Sequence, residues 1–405
     1  VTDTHTQVQT KWEKFATNWI ALGVYVFVLA FFWASGTANI RTTFYVFILL
    51  PWLFYIPWKK AHWQDFGGVY TALGLLLTGY IALSSLWGKE NDVGEFARHW
   101  LMLAIWLTTT AWVIARGHIN LERLLSYLVV VACISAVPEI IYFYLSTGYT
   151  LAVRLHGHGL AENPTLLAQL FGAACIIAYV KSMRSSARPV ILLWFAASVI
   201  CALPILLSQS RGALVALAIV GLAALIICRP RKSIIIWQIV LGCIALSLLL
   251  SQLDIISLLE KRGVDTNGRD DIWFTVLARV YEVPLFGIGA EYNARLTIPD
   301  VGIFHHAHNS WLDILYFSGL VGVFIALYHL WLLLSVFKRD SATILPLYLW
   351  FVFGCICLFT NGPHLLMPIN AHWWVYWIPV GLLVGAHLQL LKSKSMDLEV
   401  ERART

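Results

Sequence analysis

Two polar residues, His308 and Asn309, stand where a polar stretch (about residues 253–307) gives way to a long apolar one, and Gly319-Leu320-Val321-Gly322 follows nine residues later. An imidazole and an amide at the mouth of a membrane helix are functional candidates, because bare hydrocarbon would not tolerate them. A neutral imidazole accepts a proton near pH 7, which suits deprotonation of an attacking hydroxyl. His308, read as the first residue of the helix, is the candidate base, and Asn309 would orient it or a substrate. His305 and His306 precede it, and three histidines in four residues raise the question of a metal. Two imidazoles share one helical face at i, i+4, as in H-E-x-x-H, and no acid completes a set here, so no metal is expected.

Four arginines carry the complementary charge. Arg211, in Ser208-Gln209-Ser210-Arg211-Gly212, is wedged between two apolar stretches with almost no loop around it. A guanidinium there snorkels to the interface or meets an anion, and its planar set of donors suits a phosphate. Arg154 lies in Arg154-Leu155-His156-Gly157-His158-Gly159, ahead of Asn163-Pro164, where glycines let the backbone approach a ligand. With Arg211 it makes a candidate phosphate clamp. Arg262 and Arg269 flank a Gly/Asn/Asp turn and could reach the same anion or pair with Asp265, Asp270 and Asp271.

The elements that must position these groups are membrane helices. The chain of 405 residues is 59% hydrophobic and 12% charged, with mean hydropathy +0.74. That is more apolar surface than a soluble core could hide. Apolar stretches able to cross ~30 Å of hydrocarbon recur along it. Twelve spans are expected: 17–35, 42–57, 68–87, 97–115, 124–146, 165–182, 189–207, 212–228, 233–252, 309–337, 343–361 and 370–391. The tenth is too long for a simple crossing, so a bend near Gly319 is expected. The fold class is all-α: one polytopic integral membrane domain, 1–405, with its large loop at 253–307. Within that loop Ile272, Trp273, Val276, Leu277 and Val280 recur at helical spacing, so Arg269–Glu282 should form an amphipathic helix at headgroup level. Pro284–Ala290 reads as a turn packed on the bundle.

Basic residues orient the bundle. With both termini on the cytoplasmic side, 18 of the 28 Lys and Arg fall inside, at least two in every short inner loop. Arg154, Arg211, Arg262 and Arg269 are left outside, where charge bias does not explain them. The net charge of +6 reflects topology, and no nucleic-acid partner is implied. The seven cysteines lie in or at the edge of apolar spans with no C-x-x-C pair, and read as small buried hydrophobes. No cleavable leader is recognised, and the first span would serve as an uncleaved anchor. Most of the 19 tryptophans fit aromatic belts, with Trp273 or Trp311 a candidate for stacking on sugar. P-loop, dinucleotide-binding and G-x-S-x-G motifs are absent. The first outer loop lacks the acidic pair of a metal-dependent polyprenyl-phosphate glycosyltransferase.

In combination these motifs resemble the O-antigen ligase and polymerase superfamily. His308-Asn309-x9-Gly319-x-x-Gly322 is similar to the ligase signature after a large periplasmic loop. Ser210-Arg211-Gly212, Arg154-x-x-Gly157 with Asn163-Pro164, and Gly268-Arg269-x-x-x-Trp273 match further elements in the same order. The resemblance implies a ligase in the inner membrane of a Gram-negative cell, compatible with a glycosyltransferase C-like architecture. It would move O-antigen from undecaprenyl pyrophosphate to a sugar hydroxyl of lipid A–core on the periplasmic face, without ATP, metal or other cofactor. His308 would be the base, with Arg211 and Arg154 on the pyrophosphate. Asn309, Arg269, Arg262, Ser210, His306 and Trp273 would line the substrate site, membrane lipids surrounding the whole. An O-antigen polymerase or a protein-glycosylating oligosaccharyltransferase of the same superfamily is the near alternative. A twelve-span transporter is the alternative of another class, but it predicts charge near the midplane, where the sequence offers only Glu139.

Overall fold

The computed structural model describes residues 11–55, 63–90, 92–149, 153–230, 269–291, 296–298, 302–338 and 341–402. Helices dominate these residues: α1 (Lys11–Ala30), α2 (Thr37–Phe44), α3 (Leu50–Tyr55), α4 (Gly68–Ser84), α5 (Val93–Ala115), α6 (Leu121–Thr147), α7 (Pro164–Arg184), α8 (Arg188–Ser208) and α9 (Arg211–Cys228). After them come α10 (Arg269–Glu282), α11 (Ser310–Ser335), α12 (Ile344–Cys357), α13 (Ala371–Val375) and α14 (Trp377–Arg402). Among the described residues six helical segments are long and apolar enough to cross a membrane, and α4 and α12 are shorter apolar helices. The protein is an all-α polytopic membrane protein. The one sheet described is a hairpin, Leu296–Ile298 paired antiparallel with Gly302–Phe304.

Eleven of the twelve expected spans coincide with helical segments among the described residues, and the ninth, 233–252, lies outside them, as does Arg262. Differences from the expected spans are local. The second span is helical from Thr37 and carries a π-turn at Tyr45–Leu49. The last span opens as the short helix α13, breaks at Tyr376, and resumes as α14.

The bundle has centre and periphery. The apolar window of α7 is 83% buried and that of the α13–α14 segment 78%, whereas those of α6, α8, α9 and α11 are only 22–39% buried and must face lipid. Small residues explain the difference: α7 carries Ala168, Gly172, Ala173, Ala174 and Ala178, which admit close neighbours. A Cβ on Gly172 would lie 2.3 Å from the ring of Phe353 on α12.

The loops sort to two ends. At one end Gly159 packs on Ala34 and Gly88 on Ala290, the Lys89 amide donates to Glu291 (3.1 Å), and Leu155 bonds the Leu207 carbonyl (2.9 Å). These are the loops expected outside. At the other end Asp65 pairs with Lys392 (2.6 Å) and Arg116 (3.5 Å), and Lys181 donates to Ser126 (3.0 Å). Charge bias thus separated the same two ends that the packing separates.

Candidate active site

Three helices begin at the loop-rich end with an asparagine cap. Asn163 accepts the Thr165 amide, Asn309 the amides of Trp311 and Leu312, and Asn370 that of His372. Each side-chain oxygen satisfies a donor that a helix start leaves orphaned. Asn163-Pro164 is therefore a helix start, with proline at the first position where its missing N–H costs nothing. The N-terminal ends concentrate positive partial charge at this end of the bundle.

His308 is not the first residue of α11, as expected, but stands one residue before the cap Asn309. Its φ of 53° is left-handed, an arrangement that costs a non-glycine residue about 1–3 kcal/mol. The neighbours supply the compensation. The His308 N–H donates to Nδ1 of His306 (3.1 Å), the two rings meeting edge to face at 4.2 Å. Between them Ala307 is buried and held at both ends: its N–H donates to Asp313 Oδ1 (2.8 Å), and its carbonyl accepts Nε1 of Trp273 (3.0 Å).

Helix α10 forms over the residues expected, but its buried stripe is narrower. Ile272, Val276 and Val280 face the core at intervals of four, while Leu277, expected on the stripe, is 48% exposed. Trp273 is half-buried because its indole reaches the Ala307 carbonyl. One turn before it, Arg269 is close enough to Arg211 for each charge to oppose the other; burial, then Arg211, pull the Arg269 pKa below its ordinary value. Arg269 also bears on His308, so α10 supplies both the indole that fixes the loop and a cation beside the imidazole.

Arg211 opens α9 behind Ser210, which caps with its backbone alone. The elbow before it is compact. Gln209 is left-handed at φ 54°, and the buried Ser208 hydroxyl takes the Ser210 amide (3.3 Å). Nε of Arg154 donates to the Ser208 carbonyl (2.9 Å), so Arg154 is seated on the elbow that presents Arg211. Glu139, the one acid expected well inside a span, accepts the backbone and ring N–H of His158 (3.3 and 2.6 Å) and holds this loop from the other side.

The piece that joins these parts is the loop 358–370, which sequence reading marks as an outer loop of interest (362–369) without naming a residue in it. Ser310 donates to the Leu358 carbonyl (2.9 Å), Gly212 abuts Thr360, and Asn361 hydrogen-bonds the His308 side chain. The loop bridges the starts of α9 and α11. Burial lowers the pKa of His308; Arg269 lowers it further, and the Asn361 hydrogen bond opposes both. Burial pushes His306 down to about 3 and His364 to about 4, each with help from neighbouring imidazoles. Asp313 was also missed, since a lone acid in an apolar run carries no motif. A cavity of about 20 Å³, room for one water, lies against Arg279, Glu291, His306, Asp313 and Tyr316. Among the described residues no group of three His, Cys, Asp or Glu side chains is arranged to hold a metal ion.

The Gly319 bend is a complete break. Its φ of 62° and ψ of −164° lie in a region only glycine occupies. The backbone groups around the break are taken up by residues 284–289. Leu320 and Val321 donate to the carbonyls of Pro284 and Leu285 (2.9 and 3.2 Å), and Ile288 and Gly289 donate to those of Tyr316 and Phe317 (3.0 Å each). The turn expected at 284–290 is thus a strap that completes α11.

The assembled geometry is matched by known proteins. A family model described as O-antigen ligase matches residues 196–327. Over that stretch the chain is similar to an O-antigen ligase domain. The stretch runs from the middle of α8 to the second half of α11, taking in Arg211, Arg269, Trp273, His308, Asp313 and Gly319. It leaves Arg154 and the 358–370 loop outside. A protein of Pseudomonas aeruginosa named O-antigen ligase is 26% identical over 387 residues, 93% of each chain, so the likeness extends beyond that stretch to the whole bundle.

Proposed function

We propose that this protein is an O-antigen ligase, transferring glycan from undecaprenyl pyrophosphate to a sugar hydroxyl of lipid A–core at the periplasmic face of the inner membrane. The observation that carries the reading is the convergence of Arg211, Arg269, His308 and Asn361 around the facing starts of α9 and α11. A base beside a cluster of cations is what displacement of a pyrophosphate requires. His308 takes the proton of the acceptor hydroxyl, whose oxygen attacks the anomeric carbon from the side opposite the leaving group. The bond from that carbon to the pyrophosphate oxygen breaks, and configuration inverts. Arg211, Arg154 and Arg269 hold the phosphates as charge builds on the leaving oxygen, in a setting already organised for it. Ser210, Asn309, His306 and Trp273 act in this reading by shaping the substrate site. Arg262, which lies outside the described residues, is proposed only on its motif.

The donor's tail needs an apolar path. A cleft of about 320 Å³, lined by Tyr179, Phe195, Val199, Leu217 and Leu222, separates α8 from α9. Its α9 residues begin six positions below Arg211, about 9 Å along the axis. That depth suits a chain whose phosphates sit at the helix start.

Transfer by purified protein from lipid-linked glycan to lipid A–core, with EDTA present, tests the reading. Wild type should yield conjugate, and His308→Ala and Arg211→Ala should each lose about 10²-fold or more while folded. Lengthening of the lipid-linked glycan instead would reassign the protein to polymerisation. Transfer to a protein acceptor would make it an oligosaccharyltransferase, and no chemistry with any acceptor would favour transport.

A further inference from the structure

We propose that Asp313 is a positioning residue that sets His308 in its working orientation by clamping the Ala307 peptide against Trp273. In its catalytic consequence the proposal rests on the reading of His308 as the base.

Asp313 sits in the first turn of α11, fully buried, and among the described residues it forms no ion pair. A buried carboxylate is costly unless its oxygens are used. One of them, Oδ1, takes the Ala307 N–H at 2.8 Å; the other, Oδ2, is buried without a hydrogen-bond partner, on the side of the His364 amide. Asp313 therefore fastens the loop that carries His308 to the start of α11, and faces the loop that supplies Asn361.

The opposite edge of the same peptide unit run is held from another element. Trp273, on α10, donates to the Ala307 carbonyl at 3.0 Å. With one bond from α11 at the nitrogen and one from α10 at the oxygen, Ala307 cannot rotate freely about its own backbone. The next residue inherits that restriction. His308 is left-handed, a conformation a β-carbon disfavours, and its own N–H is taken by His306 Nδ1 at 3.1 Å. Three bonds over two consecutive residues hold a backbone conformation that would otherwise relax. If the clamp opens, the imidazole swings away from Asn361 and from the Arg269–Arg211 side, although nothing that touches a reacting atom has been removed.

The side chain at 313 separates positioning from bulk. Asparagine keeps an oxygen for Ala307 and turns an N–H toward the His364 side, so it preserves the one bond that makes the clamp. Leucine has the same branched shape, with methyl groups in place of the oxygens, and is larger and without an acceptor. Trp273→Phe removes the opposing bond with most of the aromatic packing kept.

The experiment uses full-length protein in lipid nanodiscs, with two readouts on the same variants. The first is transfer of lipid-linked glycan, resolved into kcat and KM. Asp313→Leu should lower kcat about 100-fold with KM changed less than threefold, Trp273→Phe about 10-fold, and Asp313→Asn should recover most of the Asp313→Leu loss. The second is the rate at which diethylpyrocarbonate labels His308, followed by peptide mass spectrometry. It should rise at least fivefold in Asp313→Leu and Trp273→Phe and stay near wild type in Asp313→Asn. Unchanged labelling in folded Asp313→Leu and Trp273→Phe would overturn the clamp, whatever the activities. Loss of kcat in Asp313→Asn as deep as in Asp313→Leu would overturn it too. If His308→Ala transferred glycan at the wild-type rate, the base assignment would fall and with it the catalytic half of the proposal. The labelling result would still decide the clamp.

Discussion

A histidine acts as a base only while neutral, and three surroundings of His308 decide where that ends. Burial and Arg269 both disfavour the imidazolium; the Asn361 hydrogen bond favours it. The net shift is downward, so the neutral form persists below the ordinary imidazole value of about 6.5. The acid limb of kcat/KM should accordingly lie below that value, with activity flat from there to pH 8. Arg269→Gln removes a repelling charge and should move the limb up, even as the rate falls. Asn361→Leu removes the opposing bond and should move it down. A limb that shifts the same way in both variants would mean that another group governs the profile. The arginines were legible in the sequence because charge left on the wrong side of a membrane requires a reason. Asn361, His364 and Asp313 were not. An asparagine in a short loop or a single acid in an apolar run is ordinary, and only the approach of α9 to α11 gives these residues work.

The element that most repays its sequence cost is α11. A helix broken inside the membrane exposes amides and carbonyls that no water can satisfy, and each would cost several kcal/mol. Here the strap 284–289 answers with four backbone bonds, two from its carbonyls and two from its amides. Gly319 and Gly287, both at positive φ, meet backbone to backbone; a Cβ on Gly319 would lie 2.3 Å from the Leu285 oxygen. Gly319→Ala should therefore destabilise by more than about 2 kcal/mol, since both the conformation and the space demand glycine. Gly221→Ala on α9, whose Cβ would meet nothing, should be neutral or slightly stabilising. Thermal unfolding of the two variants in one detergent measures the contrast, and equal midpoints would remove the argument. The glycine spacing and the excess length of this span foretold a bend. They did not foretell its partner, because the strap lies some thirty residues earlier and pairs through backbone, which leaves no trace in side-chain type.

At the scale of the molecule, the two ends have different chemistry. One is fastened by Asp65 to Arg116 and Lys392, exposed or half-exposed pairs of modest worth. The other is built on histidines that must stay neutral. That asymmetry fixes how the protein responds to acid. His306 and His364 have folded pKa values of about 3 and about 4, pushed down chiefly by burial, against about 6.5 in an unfolded chain. Between those limits the unfolded state binds more protons, so stability falls as pH falls. The contribution is intact above about pH 6.5, and each group can remove up to about 1.4 kcal/mol per pH unit below it. Because each imidazole also depresses its neighbours, the joint loss should be less than the sum. The thermal midpoint should thus be level from pH 8 to 7 and drop steeply from 6.5 to 5. His364→Gln should shallow that slope without abolishing it, as His306 still titrates. A wild-type midpoint that stayed level to pH 5 would mean these imidazoles are wetter than their packing implies, and the compactness of the loop end would then have to come from the helix caps and the strap alone.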